Sequence, residues 1–183
     1  MGLILCFLVS CQDRQTIGDF RGHSWGDSAE SVRKKEQATL VSSKEGLAYE
    51  GSIAGISVLI MYIFTDGKLS QAGYLSQESQ TNKNRYIEDY EELKNFLGKK
   101  YGQPDSDRVT WKNDQYRESQ SGWGTALSIG HLLYRAEWNT DSTMVETFLG
   151  GDNSMLIHGI RYHERASMAE RERKSEEEAL DQL

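Results

Sequence analysis

Apolar residues recur along the chain with two different periods, and these periods predict where helices and strands lie. Between Tyr86 and Tyr101 the large apolar residues are three or four positions apart, which is the repeat of one helix face. Thr81-Asn82 provides a candidate cap at the start of this helix. Gly102 and then Pro104 predict its end, because glycine followed by proline is the usual order at a helix C-terminus.

A shorter helix is predicted before it. Asp27 is a candidate N-cap, and Glu30 follows three residues later, as in a capping box. This helix is expected to extend to about Gln37.

The remaining apolar segments have the character of strands. The run 56–65, ISVLIMYIFT, is apolar on both faces and rich in β-branched residues, which is typical of a central strand. Asp66-Gly67 follows it and predicts a hairpin, because glycine tolerates the positive φ of a tight turn. The other predicted elements are strands over 46–53, 68–77, 109–112, 132–139, 143–150 and 154–163, and a short helix over 123–130.

Hairpins interrupted by two or three helices predict an α+β fold, an antiparallel sheet with helices packed on one face. The order of one helix followed by three strands occurs twice, so the pattern favours two helix-plus-three-strand halves. The predicted organisation is a signal peptide over 1–10, a lipid tether and linker over 11–26, a single α+β domain over 27–163 and a charged, partly helical tail over 164–183.

Composition narrows the functional classes. With 183 residues, 37% of them hydrophobic and 27% charged, the chain has the profile of one globular domain. Its formal net charge of −7 argues against a nucleic-acid partner, because binding a phosphate backbone needs a basic surface.

The clearest local chemistry lies at the start of the chain. Both cysteines, Cys6 and Cys11, fall in the first eleven residues, so the body has no disulfide or thiolate metal site. The apolar run 2–9 is too short to span a bilayer but suits a secretory signal. The segment Leu8-Val9-Ser10-Cys11 resembles a lipobox. It predicts cleavage before Cys11, lipid on the Cys11 thiol and a membrane-anchored, extracytoplasmic protein, on the outer membrane if the cell has one. The alternative is a buried first β-strand, because a short apolar run is ambiguous by periodicity alone.

One motif suggests an enzyme. Gly22-His23-Ser24-Trp25-Gly26 matches G-x-S-x-G, the nucleophile elbow of serine hydrolases. An elbow needs a strand that feeds the serine, and the segment before it has no apolar run. A loop leading into the first helix is therefore the favoured interpretation, and no catalytic residue is predicted.

No metal or other cofactor is predicted either. The histidines have no i, i+4 helical pair of the kind that binds zinc, and His158 and His163, five apart on a predicted strand, should face opposite sides of the sheet. The exposed aromatic residues are more informative. Trp25, Tyr116 and Trp123 each lie in or beside a predicted loop, and aromatic side chains there anchor interfaces or stack on sugars. These three residues are the candidates to line a groove for an envelope protein or a glycan. The alternative is that they belong to the core, as most aromatic residues do.

A longer pattern carries a resemblance. The run Phe20-Arg21-Gly22-x-x-Trp25-Gly26-x-Ser28-x-Glu30-x-Val32 resembles the opening of uncharacterised bacterial envelope proteins. Three later segments extend the match: Tyr62-x-Phe64-x-x-Gly67-x-Leu69, Lys100-Tyr101-Gly102-x-Pro104 and Trp138-x-Thr140. More loosely, Gly26-x-Ser28-x-x-x-Val32 followed by hairpins is similar to small outer-membrane assembly lipoproteins and to β-lactamase-inhibitor-like domains, which are binding modules.

The leading hypothesis is therefore a non-catalytic binding or assembly module of the bacterial cell envelope, anchored by lipid at Cys11. One alternative is an esterase-type hydrolase that uses Ser24. The other is a cytoplasmic structural or interaction protein in which residues 1–11 form a strand.

Overall fold

Eight strands form one antiparallel sheet in the computed structural model, which describes residues 19–153 and 155–180. In chain order the strands are β1 (Thr39–Ser42), β2 (Leu47–Ile53), β3 (Ile56–Thr65), β4 (Lys68–Ser76), β5 (Ser106–Trp111), β6 (Leu132–Asn139), β7 (Thr143–Asp152) and β8 (Met155–Glu164). Their order across the sheet is β1-β2-β3-β4-β8-β7-β6-β5. The predicted α+β class with an antiparallel sheet is confirmed.

The same residues contain four α-helices, which are α1 (Ala29–Lys35), α2 (Arg85–Tyr101), α3 (Trp123–Ser128) and α4 (Arg165–Leu180). A turn of 3₁₀ helix, Gln120–Gly122, leads into α3. Four strands follow α1, where the sequence pattern predicted three, and four follow α2. The unpredicted strand is β1, whose four residues are all exposed and carry no alternation that periodicity could detect.

Helix α1 begins one residue later than predicted. Ser28 is its N-cap, and the Ser28 hydroxyl accepts a hydrogen bond from the Ser31 N–H at 3.2 Å. Asp27, the predicted cap, accepts instead from the Ser24 N–H at 3.3 Å. The predicted capping box is therefore present only in part: a side chain caps the start of the helix, but it belongs to Ser28 and not to Asp27.

The buried stripe predicted for α2 is confirmed, and it consists of Tyr86, Tyr90, Leu93 and Leu97. The helix ends at Gly102, as predicted, with φ +89° and an N–H that donates to the Gly98 carbonyl oxygen at 2.9 Å. Its N-cap is Asn84, so the cap predicted at Thr81-Asn82 was too early.

One face of the sheet, called the inner face below, carries the buried core. Partner residues of antiparallel strands project to the same face, and one row of partners across seven strands is Tyr49, Ile60, Tyr74, Ile160, Thr147, Ala136 and Asp107. Val32 of α1 and Leu93 of α2 pack into the cluster formed by the first part of this row. Ala126 and Leu127 of α3 pack with Tyr90 and Leu149 in a second cluster. Burial of each large apolar side chain contributes about 2 kcal/mol to stability.

The central strands β4 and β8 meet where two glycines allow close approach. A Cβ on Gly73 would lie 2.4 Å from the Ile160 carbonyl oxygen, and a Cβ on Gly159 would lie 2.2 Å from the Tyr74 carbonyl oxygen. Both distances are too short for any side-chain carbon. The backbone contact between the first four strands and the last four therefore depends on glycine at both positions.

Some predictions fall outside the described residues. These are the signal peptide over 1–10, lipidation at Cys11, the tether as far as residue 18, and Ser154 at the predicted start of the last strand. Residues 20–26, predicted as linker, pack instead on the domain, where Phe20 is 3% exposed within the main core. In the predicted tail, α4 contains no buried residue.

Candidate binding surface

Residues 20–23, at the start of the run 20–32 described above, form a tight turn on the inner face of the sheet. The Phe20 N–H donates to the His23 carbonyl oxygen at 3.0 Å, and the His23 N–H donates to the Phe20 carbonyl oxygen at 2.9 Å. The two corner residues, Arg21 and Gly22, have φ values of +50° and +79°, as a two-residue hairpin turn requires. The Phe20 ring meets the Tyr62 ring edge-on with centroids 5.4 Å apart.

Arg21 is directed by this turn into a charged contact with Glu36. The carboxylate of Glu36, 3% exposed, accepts from Arg21 and also from the Tyr62 hydroxyl at 2.5 Å. Burial alone would raise the pKa of Glu36, but the hydrogen bonds from Arg21, Tyr62 and the Ala38 N–H outweigh it and lower the pKa to about 2. Every group in this cluster is paired, which suits a structural clamp between the turn and the end of α1.

Ser24 lies on the exposed side of this region. Its N–H donates to Asp27, and no hydrogen bond links its hydroxyl to a histidine in the described part of the chain. His23 is 1% exposed, and its Nδ1 lies 3.7 Å from an Asp27 carboxylate oxygen. Burial lowers the pKa of His23, with the Asp27 charge acting in the opposite direction. A hairpin turn, rather than a strand, precedes Ser24, so the geometry of a nucleophile elbow is missing.

The three aromatic residues predicted to line one groove are divided between two places. Trp25 packs against the first core cluster, and its Nε1 donates to Thr143 Oγ1 at 2.8 Å. Tyr116 and Trp123 pack against the second cluster, where the Trp123 ring meets Trp111 edge-on at 5.9 Å. Trp123 also borders a cavity of about 320 Å³ beside the start of α2.

The second face of the sheet is apolar as well, although none of its large apolar residues from β3, β4, β6 or β8 is buried. We call it the open face, and its large apolar members, in chain order, are Leu59, Met61, Ile63, Leu75, Leu133, Met144, Phe148, Met155 and Ile157. Met144, on β7, is the buried member of this set. Ile63 is 38% exposed and Ile157 is 48% exposed. A solvated sheet face normally alternates to polar residues, whereas exposed apolar patches mark sites of interaction.

Charged residues lie among these apolar ones. Glu146, only 3% exposed, forms ion pairs with Arg135 and with Arg161, whose Nη1 lies 3.5 Å from a Glu146 oxygen. Arg135 also pairs with Glu137 at 2.7 Å, and the Arg161 guanidinium lies 4.0 Å from the centroid of the Phe148 ring. The open face therefore combines flat apolar surface with fixed guanidinium groups, which are frequent at the centres of protein interfaces.

A cavity of about 340 Å³ opens on this face near the edge strand β5. Leu133, Phe148 and Gly150 contribute apolar surface to it, and Arg108 and Arg135 contribute charge. Arg108 lies directly opposite Arg135, and Arg135 lies directly opposite Phe148 in the strand register.

Sequence reasoning missed this surface, although the pattern contains its signal. The run 56–65 is apolar on both faces, and this pattern predicts a central strand. Strand β3 is indeed inside the sheet, but no element in the described residues buries Leu59, Met61 or Ile63 to the extent of the inner face. A second signal of the open face in the sequence is Glu146, the single acidic residue in the mainly apolar run 143–150.

His158 and His163 lie on opposite faces of β8, as their spacing predicts, because their register partners are Leu149 and Met144. Within residues 19–153 and 155–180 there is no cluster of three or more side chains suited to hold a metal ion. None of the helices there has the combination of length and apolar character that crossing a membrane requires. No protein-family model, curated protein or solved structure matches the chain.

Proposed function

We propose that the protein is a non-catalytic binding module of the bacterial cell envelope, anchored through lipid on Cys11, that holds a partner protein on its open face. The observation that carries this proposal is the contrast between the two faces of one sheet. Inner-face residues such as Ile60 are 2% exposed, whereas Ile157 on the open face is 48% exposed. A face of this kind lowers its free energy when a partner removes it from water.

The architecture supports this role in our interpretation. We infer that α1, α2 and α3 all cover the inner face, since each contributes residues to the core clusters there. We further infer two halves, α1 with β1 to β4 and α2 and α3 with β5 to β8, joined where β4 pairs with β8. Such an arrangement gives a wide rigid face made of regular strands, and binding sites on rigid elements need little ordering when a partner docks.

To test the binding role, a photoreactive amino acid replaces Ile157 on the open face. In the matched control variant it replaces Phe96, which is 46% exposed on α2. In the cells that make the protein, irradiation should give one discrete adduct from position 157 and none from position 96. Equal adducts from both positions, or none from position 157, would contradict the binding role.

Anchoring is tested by metabolic labelling with palmitate, with Cys6→Ala as the control for Cys11→Ala. We expect label on the wild type and on Cys6→Ala, and its loss on Cys11→Ala. An unlabelled wild type in the soluble cytoplasmic fraction would support the alternative in which residues 1–11 serve a cytoplasmic protein. Labelling of Ser24 by a fluorophosphonate probe would support the esterase alternative, which no contact of Ser24 favours at present.

A further inference from the structure

We propose that the cavity between Arg108, Arg135 and Phe148 on the open face binds an acidic segment of the partner protein, with one carboxylate on the arginines and a neighbouring apolar side chain in the cavity. This inference rests on the proposed binding function and names the chemistry of its occupant.

The first support is a pair of like charges. Arg108 on β5 and Arg135 on β6 lie directly opposite each other, an arrangement that destabilises an antiparallel pair. Arg135 is already paired with Glu137 and Glu146, whereas Arg108 makes no ion pair with any residue between 19 and 180 that the structure describes. An incoming carboxylate would relieve this repulsion and give Arg108 a partner.

The second support is the position of the arginines over apolar surface. The cavity of about 340 Å³ has Leu133 and Phe148 beside Arg108 and Arg135, and Thr110 adds a hydroxyl. A volume of this size accommodates one or two side chains. The site therefore fits an acidic residue next to an apolar one, and an isolated small anion would leave the apolar part of the cavity empty.

The third support is charge complementarity. The chain has a net charge of −7, yet three arginines, Arg108, Arg135 and Arg161, lie on this part of the open face with only two glutamates, Glu137 and Glu146. The net charge of the chain disfavours an acidic partner, whereas the excess of arginine on this part of the open face favours one, so the charges also favour docking here. A nucleic acid would meet the same repulsion along its whole backbone without the row of cations that it needs.

The test uses the full chain and a displayed library of random twelve-residue peptides. Selection on the wild type should enrich peptides that carry Asp or Glu beside an apolar residue. Arg108→Gln should weaken the binding of the selected peptides by about tenfold, which corresponds to about 1.4 kcal/mol. Arg33→Gln is the matched control, because Arg33 is an exposed arginine on α1, and it should leave the affinity unchanged.

A second variant separates a charge effect from a loss of folding. Arg108→Glu should reverse the selection, so that peptides with Lys or Arg are enriched, while thermal unfolding remains close to that of the wild type since Arg108 is exposed. Phosphatidylglycerol vesicles serve as the third probe. Vesicle binding that is lost in Arg108→Gln, without enrichment of acidic peptides, would overturn the inference in favour of a lipid headgroup.

The outcomes distinguish this inference from the proposed function. Peptides without acidic residues, or peptides insensitive to Arg108→Gln, would overturn the acidic occupant while leaving a binding module in place. An absence of selected peptides together with no photo-adduct at position 157 would contradict both.

Discussion

Arg21 and Glu36 form a two-point ion pair, with Arg21 Nε 2.9 Å from Glu36 Oε2 and Nη2 3.0 Å from Oε1. The pair joins the N-terminal turn to the residue after α1. Arg21 belongs to the run 20–32, and this contact gives that run a structural role. It orients the turn on the core, and it does not by itself form a binding site.

Glu36→Gln is expected to lower the free energy of unfolding by about 2 kcal/mol at pH 7, since an amide cannot match a buried carboxylate that accepts from Arg21 and Tyr62. Equilibrium unfolding in urea measures the change. Glu30→Gln is the control, because its carboxylate is largely exposed and its ion pair with Lys34 lies on the surface, so its loss should cost less than about 0.5 kcal/mol. Equal effects of the two variants would show that the clamp contributes nothing.

The same pair predicts sensitivity to acid. The pKa of Glu36 is lowered to about 2, whereas a carboxyl group in the unfolded chain titrates near 4.3. The unfolded chain therefore binds the proton first. The stability that the clamp provides is present above about pH 4.5 and is lost as the pH falls towards 2. Glu36→Gln should flatten the stability curve in this window only.

His158 predicts a second, separate pH window. It is 2% exposed, neither ring nitrogen has a hydrogen-bond partner in the described residues, and burial lowers its pKa to about 4. Its unfolded pKa is about 6.5, so stability present above that value should fall by about 3 kcal/mol as the pH drops from 6.5 to 4. The difference between wild type and His158→Leu, measured by urea unfolding at each pH, isolates this contribution.

Glu36→Gln is the control for that experiment: it should lower stability by a constant amount above about pH 4.5 and change the pH dependence of stability only below that value. A wild type and a His158→Leu variant with parallel stability curves between pH 6.5 and 4 would refute the prediction.

The junction of β4 and β8 gives a steric prediction. Gly159→Ala should destabilise the protein by more than about 2 kcal/mol, because the new Cβ would overlap the Tyr74 carbonyl oxygen and the backbones would have to separate. Gly98→Ala is the matched control. Beyond the adjacent residues and the backbone of its own helix, no described atom lies within 4 Å of its added Cβ, and Gly98 is inside α2, so the variant should be more stable by about 1 kcal/mol. Thermal unfolding of both variants measures the contrast, and a similar melting temperature for the two would contradict it.

Asn84 joins α2 to α3 through both ends of its amide. Its Oδ1 accepts from the Gly124 N–H at 2.6 Å, and its Nδ2 donates to the Gln120 carbonyl oxygen at 3.2 Å. Asn84→Ala should cost about 2 kcal/mol in urea unfolding because the Gly124 N–H loses its partner. Asn95→Ala, at an exposed position on α2, should be nearly neutral, and an equal cost at both positions would argue against the bridge.

Much of the fold was predictable because the core obeys simple periods. The spacing of Tyr86, Tyr90 and Leu93 defines α2, and Asp66-Gly67 forms the predicted hairpin, with φ values of +51° and +74°. These features are local, so the chain itself contains the information. Strand β1 was missed because its residues are exposed and acquire their structure only by pairing with β2.

The candidate site was much less predictable. The sequence suggests one groove for Trp25, Tyr116 and Trp123 because all three lie near predicted loops. Whether they are close in space depends on where β4 meets β8, and sequence spacing does not specify that pairing. The open face depends on it too, since Phe148 and Leu75 both lie next to Gly159 only after β7, β8 and β4 have paired. The sequence identifies the apolar residues, but only the strand register shows which of them share a surface.

The lengths of the strands have a consequence for how the molecule meets others. The two outermost strands, β1 with four residues and β5 with six, are the shortest in the described sheet, while β3, β7 and β8 have ten each. The sheet thus tapers towards both margins, and β5 carries Asp107 and Arg108 near its start. Short edge strands, and the charged residues of β5, discourage another sheet from adding strand to strand, which is a route to aggregation. A protein built in this way can display an apolar plane without polymerising through its rims.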